Sequence, residues 1–137
     1  MIRRANEKDI VAIYNLECEL FEESLGINFI TNDLKQNTAA YYFVYELEGE
    51  IIGYIASWIF DNTTILNFGV KPRFRRQHIG SALFNKLLEY AKMPISLEVD
   101  VENEIAIEFY LKNGFEKKAL RKDYYKNHHD AILMVRM

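Results

Sequence analysis

A strand, a helix and a second strand follow one another in the middle of the chain, and this run limits the possible folds most. Thr63 to Val70 are apolar and β-branched, and the apolar residues from Ile79 onward recur at helical spacing. Pro94 closes the helix before Ile95 to Val101, which alternate between apolar and polar side chains. Two strands joined by a helix lie parallel or nearly so in one sheet, with the helix packed in a right-handed crossover. The run therefore predicts an α/β chain.

The segments on either side complete a mixed sheet. Upstream, the aromatic run Tyr41 to Tyr45 and the segment Ile51 to Phe60 form a three-stranded antiparallel meander with Thr63 to Val70. The turns are Glu48-Gly49-Glu50 and Asp61-Asn62. Downstream, the sequence predicts a helix from Asn103 with Gly114 at its C-cap, and then an antiparallel pair of strands, Phe115 to Tyr125 and Ala131 to Met137.

Two helices are predicted before the meander. The first has apolar residues at three- and four-residue spacing and is capped by Asn6 or Asp9; these residues are Ile10, Ile13, Leu16, Leu20 and Phe21. The second is short, around Asp33 to Asn37, with Thr31 and Asn32 as cap candidates. Cys18 lies inside the first helix, and its apolar neighbours favour a buried small hydrophobe over a nucleophile.

The bulk composition limits domain number, partners and location. A chain of 137 residues with 50% hydrophobic content supports one domain spanning 1–137, and we expect a monomer or weak dimer. A net charge of -3 argues against direct binding of nucleic acid. One cysteine excludes an internal disulfide, and no window resembles a signal peptide or the ~18 to 20 apolar residues of a membrane span. We therefore expect a cytoplasmic protein without a membrane partner.

Positive charge is concentrated just before the central helix. Four basic residues lie within six positions, followed by His78-Ile79-Gly80 at the predicted helix start; they are Lys71, Arg73, Arg75 and Arg76. A helix N-terminus offers free N–H groups and the positive end of a dipole, which suits a pyrophosphate. The loop matches neither the P-loop nor the Rossmann pattern. A solvated charge cluster that caps the helix explains the same spacing equally well.

Carboxylates share one face of the following strand. Strict alternation places Ile95, Leu97, Val99 and Val101 on one side, and Ser96, Glu98, Asp100 and Glu102 on the other. Like charges this close raise the pKa of at least one carboxyl group, which suits a general base, and an acidic face attracts a cationic amine. The alternative is an ordinary exposed strand face.

Three weaker candidates lie further along the chain. Tyr110, one turn before Gly114, is a candidate acid or a core aromatic. The cluster His128-His129-Asp130 lacks ligand partners at metal spacing, and we expect it in a solvent-exposed hairpin loop. Tyr124 and Tyr125 are edge-strand aromatics or line a substrate groove.

Three segments together resemble the GNAT (general N-acetyltransferase) superfamily, and within it the RimI type of protein N-terminal alanine acetyltransferase. They are NFGVKPRFRRQHIGSALFNKLL (Asn67 to Leu88), SLEVDVENEIAIEFYLKNGFE (Ser96 to Glu116) and RKDYYKNHHDAILM (Arg121 to Met134). The resemblance spans nearly the whole chain. It implies a mixed, mostly antiparallel sheet of about seven strands with about four helices, in which the fourth and fifth strands run parallel and splay apart.

The resemblance also implies roles for individual residues. Glu98 corresponds to the family's general base and Tyr110 to its general acid, and no metal is required. Substrate contacts are implied for Asp100, Tyr124 and Tyr125. The residues implied to hold acetyl-CoA are Phe68, Gly69, Val70, Arg75, Arg76, Gln77, His78, Ile79, Gly80, Ser81 and Asn103. The chain departs from the family pattern at His78, where glycine is usual, and at Asp100-Val101-Glu102, where arginine and small residues are common.

The function implied is transfer of an acetyl group from acetyl-CoA to a protein N-terminal α-amine, in particular the N-terminal alanine of a small-subunit ribosomal protein. One alternative is a GNAT enzyme that acts on a small amine or a lysine side chain, which the acidic strand face suits as well. A second alternative, from a different class, is a non-catalytic acyl-CoA sensor that keeps the phosphate loop but lacks turnover.

Overall fold

The computed structural model describes all residues from 1 to 137, which form seven strands and four α-helices. The strands are β1 (Ile2–Arg4), β2 (Ala40–Leu47), β3 (Glu50–Ile59), β4 (Thr63–Val70), β5 (Ile95–Asp100), β6 (Glu116–Arg121) and β7 (Ala131–Arg136). The helices are α1 (Ile10–Leu20), α2 (Ile27–Gln36), α3 (Ile79–Leu88) and α4 (Glu104–Lys112). Two 3₁₀ turns, Glu7–Asp9 and Pro72–Phe74, precede α1 and α3.

The strands form one sheet in the order β1-β2-β3-β4-β5-β7-β6. Every pair is antiparallel except β4 and β5, which are parallel. The predicted strand-helix-strand crossover and the mixed sheet are therefore confirmed. No helix is both long and apolar enough to cross a bilayer.

Helices cover both faces of the sheet because side chains alternate along each strand. On one face, Tyr42 and Val44 of β2 belong to a buried cluster with Ile13 of α1 and Ile30 of α2. On the other face, neighbouring Phe43 belongs to a larger cluster that includes the apolar residues of α3 and α4. Both faces of the sheet are therefore packed against helices, and β4 and β5 lie next to each other inside it.

The entry into α1 uses both of the predicted cap residues. The Asn6 side chain accepts from the Lys8 backbone N–H, and Asp9 accepts from the Asn6 N–H, which forms a capping box around the 3₁₀ turn. Asp9 also accepts two hydrogen bonds of 2.8 Å from Arg3. This pair lowers the pKa of Asp9, so the charged carboxylate stabilises the 3₁₀ turn that leads into α1, although it makes no cap hydrogen bond to α1 itself.

Helix α2 begins earlier than predicted. It starts at Ile27, after Gly26 with φ 98° and ψ 146°, a backbone conformation that is open essentially to glycine alone. The Thr31 hydroxyl donates to the Ile27 carbonyl at 2.7 Å, so Thr31 lies inside the helix and does not cap it. The predicted caps were wrong because the glycine turn, and not a polar side chain, starts this helix.

Two strands also differ from the predictions. Strand β1 pairs with β2 but is only three residues long, which is too short for alternation to reveal it. Strand β6 ends at Arg121 and does not reach Tyr125, because the following residues form turns on the way to β7. Tyr124 and Tyr125 therefore lie in a loop.

Candidate active site

The sheet opens between its two parallel strands. Pairing of β4 with β5 covers only Thr63 to Ile65 opposite Ile95 to Leu97. A β-bulge follows at once, because Ile65 opposes Ser57 while Asn67 opposes Ala56, which leaves Leu66 as the extra residue. From Leu66 onward the edge of β4 that faces β5 has no strand partner. A cavity of about 790 Å³ fills the gap.

The cavity brings together six of the residues for which the family resemblance implied a catalytic, cofactor or substrate role. They come from four different parts of the chain, and they are Phe68, Glu98, Asp100, Asn103, Tyr110 and Tyr125. Tyr124 does not line the cavity; it is 49% exposed, and its ring packs edge-on against Tyr125 with the centroids 4.9 Å apart. Gly69, Val70 and the basic loop from Arg75 to Ser81 also lie outside the cavity lining.

The carboxylate face of β5 is as predicted, but its charges are partnered. Glu98 points away from the core, and its Oε2 accepts from Arg121 Nε at 2.7 Å. Its Oε1 has no hydrogen-bond partner in the protein, and Glu98 lines the cavity. Asp100 and Glu102 both contact His129. The prediction assumed three unpaired carboxylates. In the structure Arg121 pairs with Glu98, and His129 alone pairs with both Asp100 and Glu102.

Tyr110 is a core aromatic that also lines the cavity. Its ring is in the core, with centroids 5.3 Å from Phe115 and 6.3 Å from Phe68. Burial raises the pKa of the phenol, and the negative charge that Tyr125 can carry raises it further. The hydroxyl reaches the cavity and makes no hydrogen bond to the protein. The phenol of Tyr110 therefore keeps its proton at neutral pH, and its hydroxyl is free to donate a hydrogen bond.

His129 lies between two carboxylates, which corrects the expectation that the His128-His129-Asp130 cluster has no such partners. Nδ1 is 2.7 Å from Asp100 Oδ2, and Nε2 is 2.9 Å from Glu102 Oε2. Imidazole can donate from both nitrogens only when it is protonated, so the geometry is that of an imidazolium ion pair. His128 is exposed, as predicted. The His129 pair ties the β6–β7 loop to the end of β5, beside the cavity.

The His129 ion pair should weaken as the pH rises. The hydrogen bond that His129 donates to Asp100, and then the charges of Asp100, Glu102 and Glu22, raise the pKa of His129 above 6.5. Because the folded-state pKa is raised, the stabilisation is complete below pH 6.5 and is lost as the pH rises through the raised value. NMR titration of the imidazole should show this pKa, and Asp100→Asn should lower it. Asp123→Asn, which removes the partner of His128, is the control; an equal shift there would contradict the assignment.

The basic loop divides into paired and free cations. Lys71 Nζ and Arg73 Nη2 contact Glu50 at 2.6 and 3.2 Å, so Glu50 neutralises much of their charge. Arg75 and Arg76 make no salt bridge; Arg75 Nε donates to the Val70 carbonyl at 3.2 Å. Both arginines are exposed beside the N-terminus of α3. The alternative of a purely solvated cluster therefore fits Lys71 and Arg73, while Arg75 and Arg76 are available to an anion.

His78 has a left-handed backbone conformation, with φ 64° and ψ 17°. This region costs a residue with a Cβ about 1–2 kcal/mol relative to glycine, which explains why the family pattern has glycine here. The side chain is exposed and makes no cap hydrogen bond to the helix. The histidine therefore fits the loop at the expense of backbone strain.

His78→Gly should raise the free energy of unfolding by up to about 1 kcal/mol, because relief of strain exceeds the added unfolded-chain entropy. Urea denaturation measures this change. Gln77→Gly is the matched control, since Gln77 has no positive φ and its replacement should lower stability by about 0.5–1 kcal/mol. Equal effects of the two variants would show that His78 is not strained.

Two features of the site were missed in the sequence. The loop between α1 and α2 contributes Glu22, Glu23 and Ser24 to the cavity, and β4 contributes Asn67. The available signal was the cluster of acidic residues directly after a helix.

Cys18 was also misjudged: it is exposed, because it lies on the face of α1 that points away from the sheet.

The sheet thus splays at a bulged strand, with two exposed arginines beside a helix start on one side and a strand that carries carboxylates on the other. The sequence model described as Acetyltransferase (GNAT) family matches residues 10–115. The chain belongs to this family.

Individual relatives support the same class. A Bacillus subtilis protein, provisionally named a [ribosomal protein bS18]-alanine N-acetyltransferase, is 34% identical over 97% of this chain and 92% of its own length. An N-alpha-acetyltransferase of Sulfurisphaera tokodaii is 31% identical over 97% of this chain and 90% of its own. Among solved structures, Ard1 from Thermoplasma volcanium superposes with a TM-score of 0.89 at 31% identity, covering 99% of this chain and 95% of that one.

Proposed function

We propose that this acetyltransferase moves the acetyl group of acetyl-CoA to the N-terminal α-amine of a protein, with Glu98 as general base and Tyr110 as general acid. The observation that carries the proposal is that one cavity is lined by Glu98, by Tyr110, whose hydroxyl makes no hydrogen bond to the protein, and by Phe68 of the splayed strand β4. A base and an acid in one cavity are what acyl transfer to an amine requires.

The proton movements balance in a direct reaction. The amine nitrogen attacks the thioester carbonyl carbon and gives up its proton to Glu98, directly or through a water, as the C–N bond forms. The C–S bond then breaks, and the departing thiolate takes the proton of Tyr110. Backbone N–H groups of β4 beyond the bulge have no strand partner on the β5 side, so they can stabilise the carbonyl oxygen as it gains charge.

The acyl donor fits the segment between β4 and α3. Arg75, Arg76 and the free N–H groups at the start of α3 provide charge and hydrogen bonds for a pyrophosphate. We assign the peptide groups of Phe68, Gly69 and Val70 to the pantetheine arm, and Asn103, whose side chain caps α4, to the same end of the cavity.

Two cations of the basic loop are paired with Glu50 and two are free, so variants of each pair test the binding of acetyl-CoA. The double variant Arg75→Gln/Arg76→Gln should raise the KM for acetyl-CoA about 30- to 150-fold, because glutamine keeps a neutral donor but loses about 1–1.5 kcal/mol of charge assistance at each position. The double variant Lys71→Gln/Arg73→Gln removes the same charge but should change this KM by no more than about threefold, because Glu50 already pairs with both cations. Initial rates at varied acetyl-CoA measure both. Equal effects would mean that only net charge matters.

The names of the relatives favour an N-terminal acceptor, and the bS18-alanine relative points to the N-terminal alanine of a small-subunit ribosomal protein in the cytoplasm. A specific observation also favours a second candidate, an enzyme for a lysine side chain or a small polyamine. Five carboxylates line the cavity, from Glu22, Glu23, Glu98, Asp100 and Glu102, and they would attract any cationic amine.

A panel of acceptors separates these candidates. The wild-type protein should consume acetyl-CoA with peptides that begin in alanine, and much more slowly with N-terminally blocked peptides that contain lysine, or with polyamines. Preference for lysine or a polyamine would replace the N-terminal proposal with the second candidate. Tight acetyl-CoA binding without turnover of any acceptor would instead favour a sensor.

A further inference from the structure

A carboxylate lies fully buried in the middle of α1. Glu17 has no exposed surface, and its two oxygens accept four hydrogen bonds. Oε1 accepts from Ser24 Oγ at 2.7 Å and from the Leu25 backbone N–H at 2.9 Å. Oε2 accepts from Tyr54 Oη at 3.0 Å and from Asn67 Nδ2 at 3.2 Å. Its spacing from Ile10 and Ile13 puts this glutamate on the apolar face of the helix.

No cation pairs with this buried charge. Every donor to Glu17 is a hydroxyl, an amide or a backbone N–H, and none of the protein's salt bridges includes it. Burying a carboxylate without a partner is costly, and apolar side chains often fill such sites with equal or better stability. A carboxylate can, however, accept several donors from different directions at once. Packing alone does not explain Glu17.

The four donors come from three parts of the chain: Ser24 and Leu25 lie in the α1–α2 loop, Tyr54 is a buried residue of β3, and Asn67 belongs to β4. Ser24 and Asn67 both line the active-site cavity, the first from the α1–α2 loop and the second from the bulge of β4. The loop, residues 21–26, has no helix or strand of its own. Its Glu22 accepts from Asn127 Nδ2 at 2.6 Å across the cavity, so the position of this loop also affects the β6–β7 loop.

We propose that Glu17 is a positioning residue for the acceptor: its buried carboxylate fixes the α1–α2 loop against Asn67 and so shapes the acceptor side of the cavity. The proposal rests on the acceptor site assigned under the proposed function. Glu17 does not itself line the cavity, and it takes no part in proton transfer.

Steady-state kinetics of Glu17→Met test this role. Methionine fills the same space but accepts none of the four hydrogen bonds, so the loop loses its anchor. The KM for an alanine-starting peptide should rise about tenfold or more, while the KM for acetyl-CoA and kcat stay within about threefold. Glu17→Gln keeps one acceptor oxygen for Leu25 and Ser24 and should restore part of the peptide affinity.

Asp33→Leu is the matched control. Asp33 is also a buried carboxylate with only neutral donors, from Tyr42, Trp58 and Asn37, and neither it nor these partners line the active-site cavity. Loss of Asp33 should lower stability but leave the KM for peptide unchanged. If Asp33→Leu and Glu17→Met raise that KM equally, Glu17 has only a structural role and the proposal is wrong.

Amide hydrogen exchange provides a readout that needs no turnover. The Leu25 amide, which donates to Glu17, should exchange about tenfold faster or more in Glu17→Met than in the wild type, and at an intermediate rate in Glu17→Gln. If Glu17→Met fails to fold, Glu17→Gln and Ser24→Ala give the same comparison with smaller effects. Unchanged exchange at Leu25 would overturn the proposal. Because this measurement is independent of the acceptor, it distinguishes failure of the Glu17 role from failure of the proposed function.

Discussion

Glu98→Gln should lower kcat about 10²- to 10⁴-fold, the usual contribution of a general base. Glutamine keeps the shape and can still accept from Arg121, so the fold and the Arg121 contact survive. What it loses is the ability to take a proton at the position of Oε1. Initial rates with an alanine-starting peptide and saturating acetyl-CoA measure the loss.

The pH dependence of the residual activity makes this test specific. A free α-amine has a pKa of about 8, and an enzyme without its base can use only the acceptor that is already neutral. The residual kcat/KM of Glu98→Gln should therefore rise about tenfold per pH unit below pH 8. Glu116→Gln, another strand carboxylate paired with a cation, is the control and should keep full activity. Full activity of Glu98→Gln at every pH would rule out the base assignment.

Tyr110→Phe should lower kcat about 10²-fold or more, because the departing thiolate loses its proton donor. Burial raises the pKa of Tyr110, so the wild-type phenol holds its proton throughout the neutral range and is available as an acid. Stability should change by less than about 0.5 kcal/mol, since the ring remains and the hydroxyl makes no hydrogen bond to the protein. Kinetics and urea denaturation of the same sample test both expectations.

Tyr42→Phe should show the opposite behaviour. Its hydroxyl is buried and donates to Asp33 at 2.5 Å, at a site remote from the cavity. Removing it should cost about 1–3 kcal/mol of stability and leave kcat unchanged. If Tyr110→Phe instead behaved like Tyr42→Phe, losing stability but not turnover, then Tyr110 would be a core aromatic only.

The sequence predicted those parts of the site that depend on local pattern. Alternation placed Glu98 and Asp100 on one face of β5, and the structure agrees, but β5 ends at Asp100 and the predicted strand residue Glu102 lies in the turn that follows. The turn residues delimited β4 without error. The resemblance to the family identified Glu98 and Tyr110, and both line the cavity. Their catalytic roles stay predictions that the experiments above test.

Local pattern failed where partners come from distant parts of the chain. Glu98 meets Arg121, which is 23 residues away, and Asp100 meets His129, which is 29 residues away. The sequence therefore suggested unpaired carboxylates and a solvent-exposed histidine. The sequence analysis did not single out Glu17, because the four donors to its buried carboxylate come from other parts of the chain.

Apart from the three-residue strand β1, the order of strands and helices, the parallel crossover and the amphipathic faces were determined by the sequence alone, because periodicity and turn chemistry act over a few residues. Only the tertiary structure decided which charged side chains lack an ion-pair partner. Glu50 neutralises Lys71 and Arg73 but leaves Arg75 and Arg76 available, and the left-handed backbone at His78 gives that loop its turn. Ion pairs and cavities form where segments that are distant in sequence come into contact. Packing of the helices on both faces of the sheet determines those contacts, and no local run of residues does.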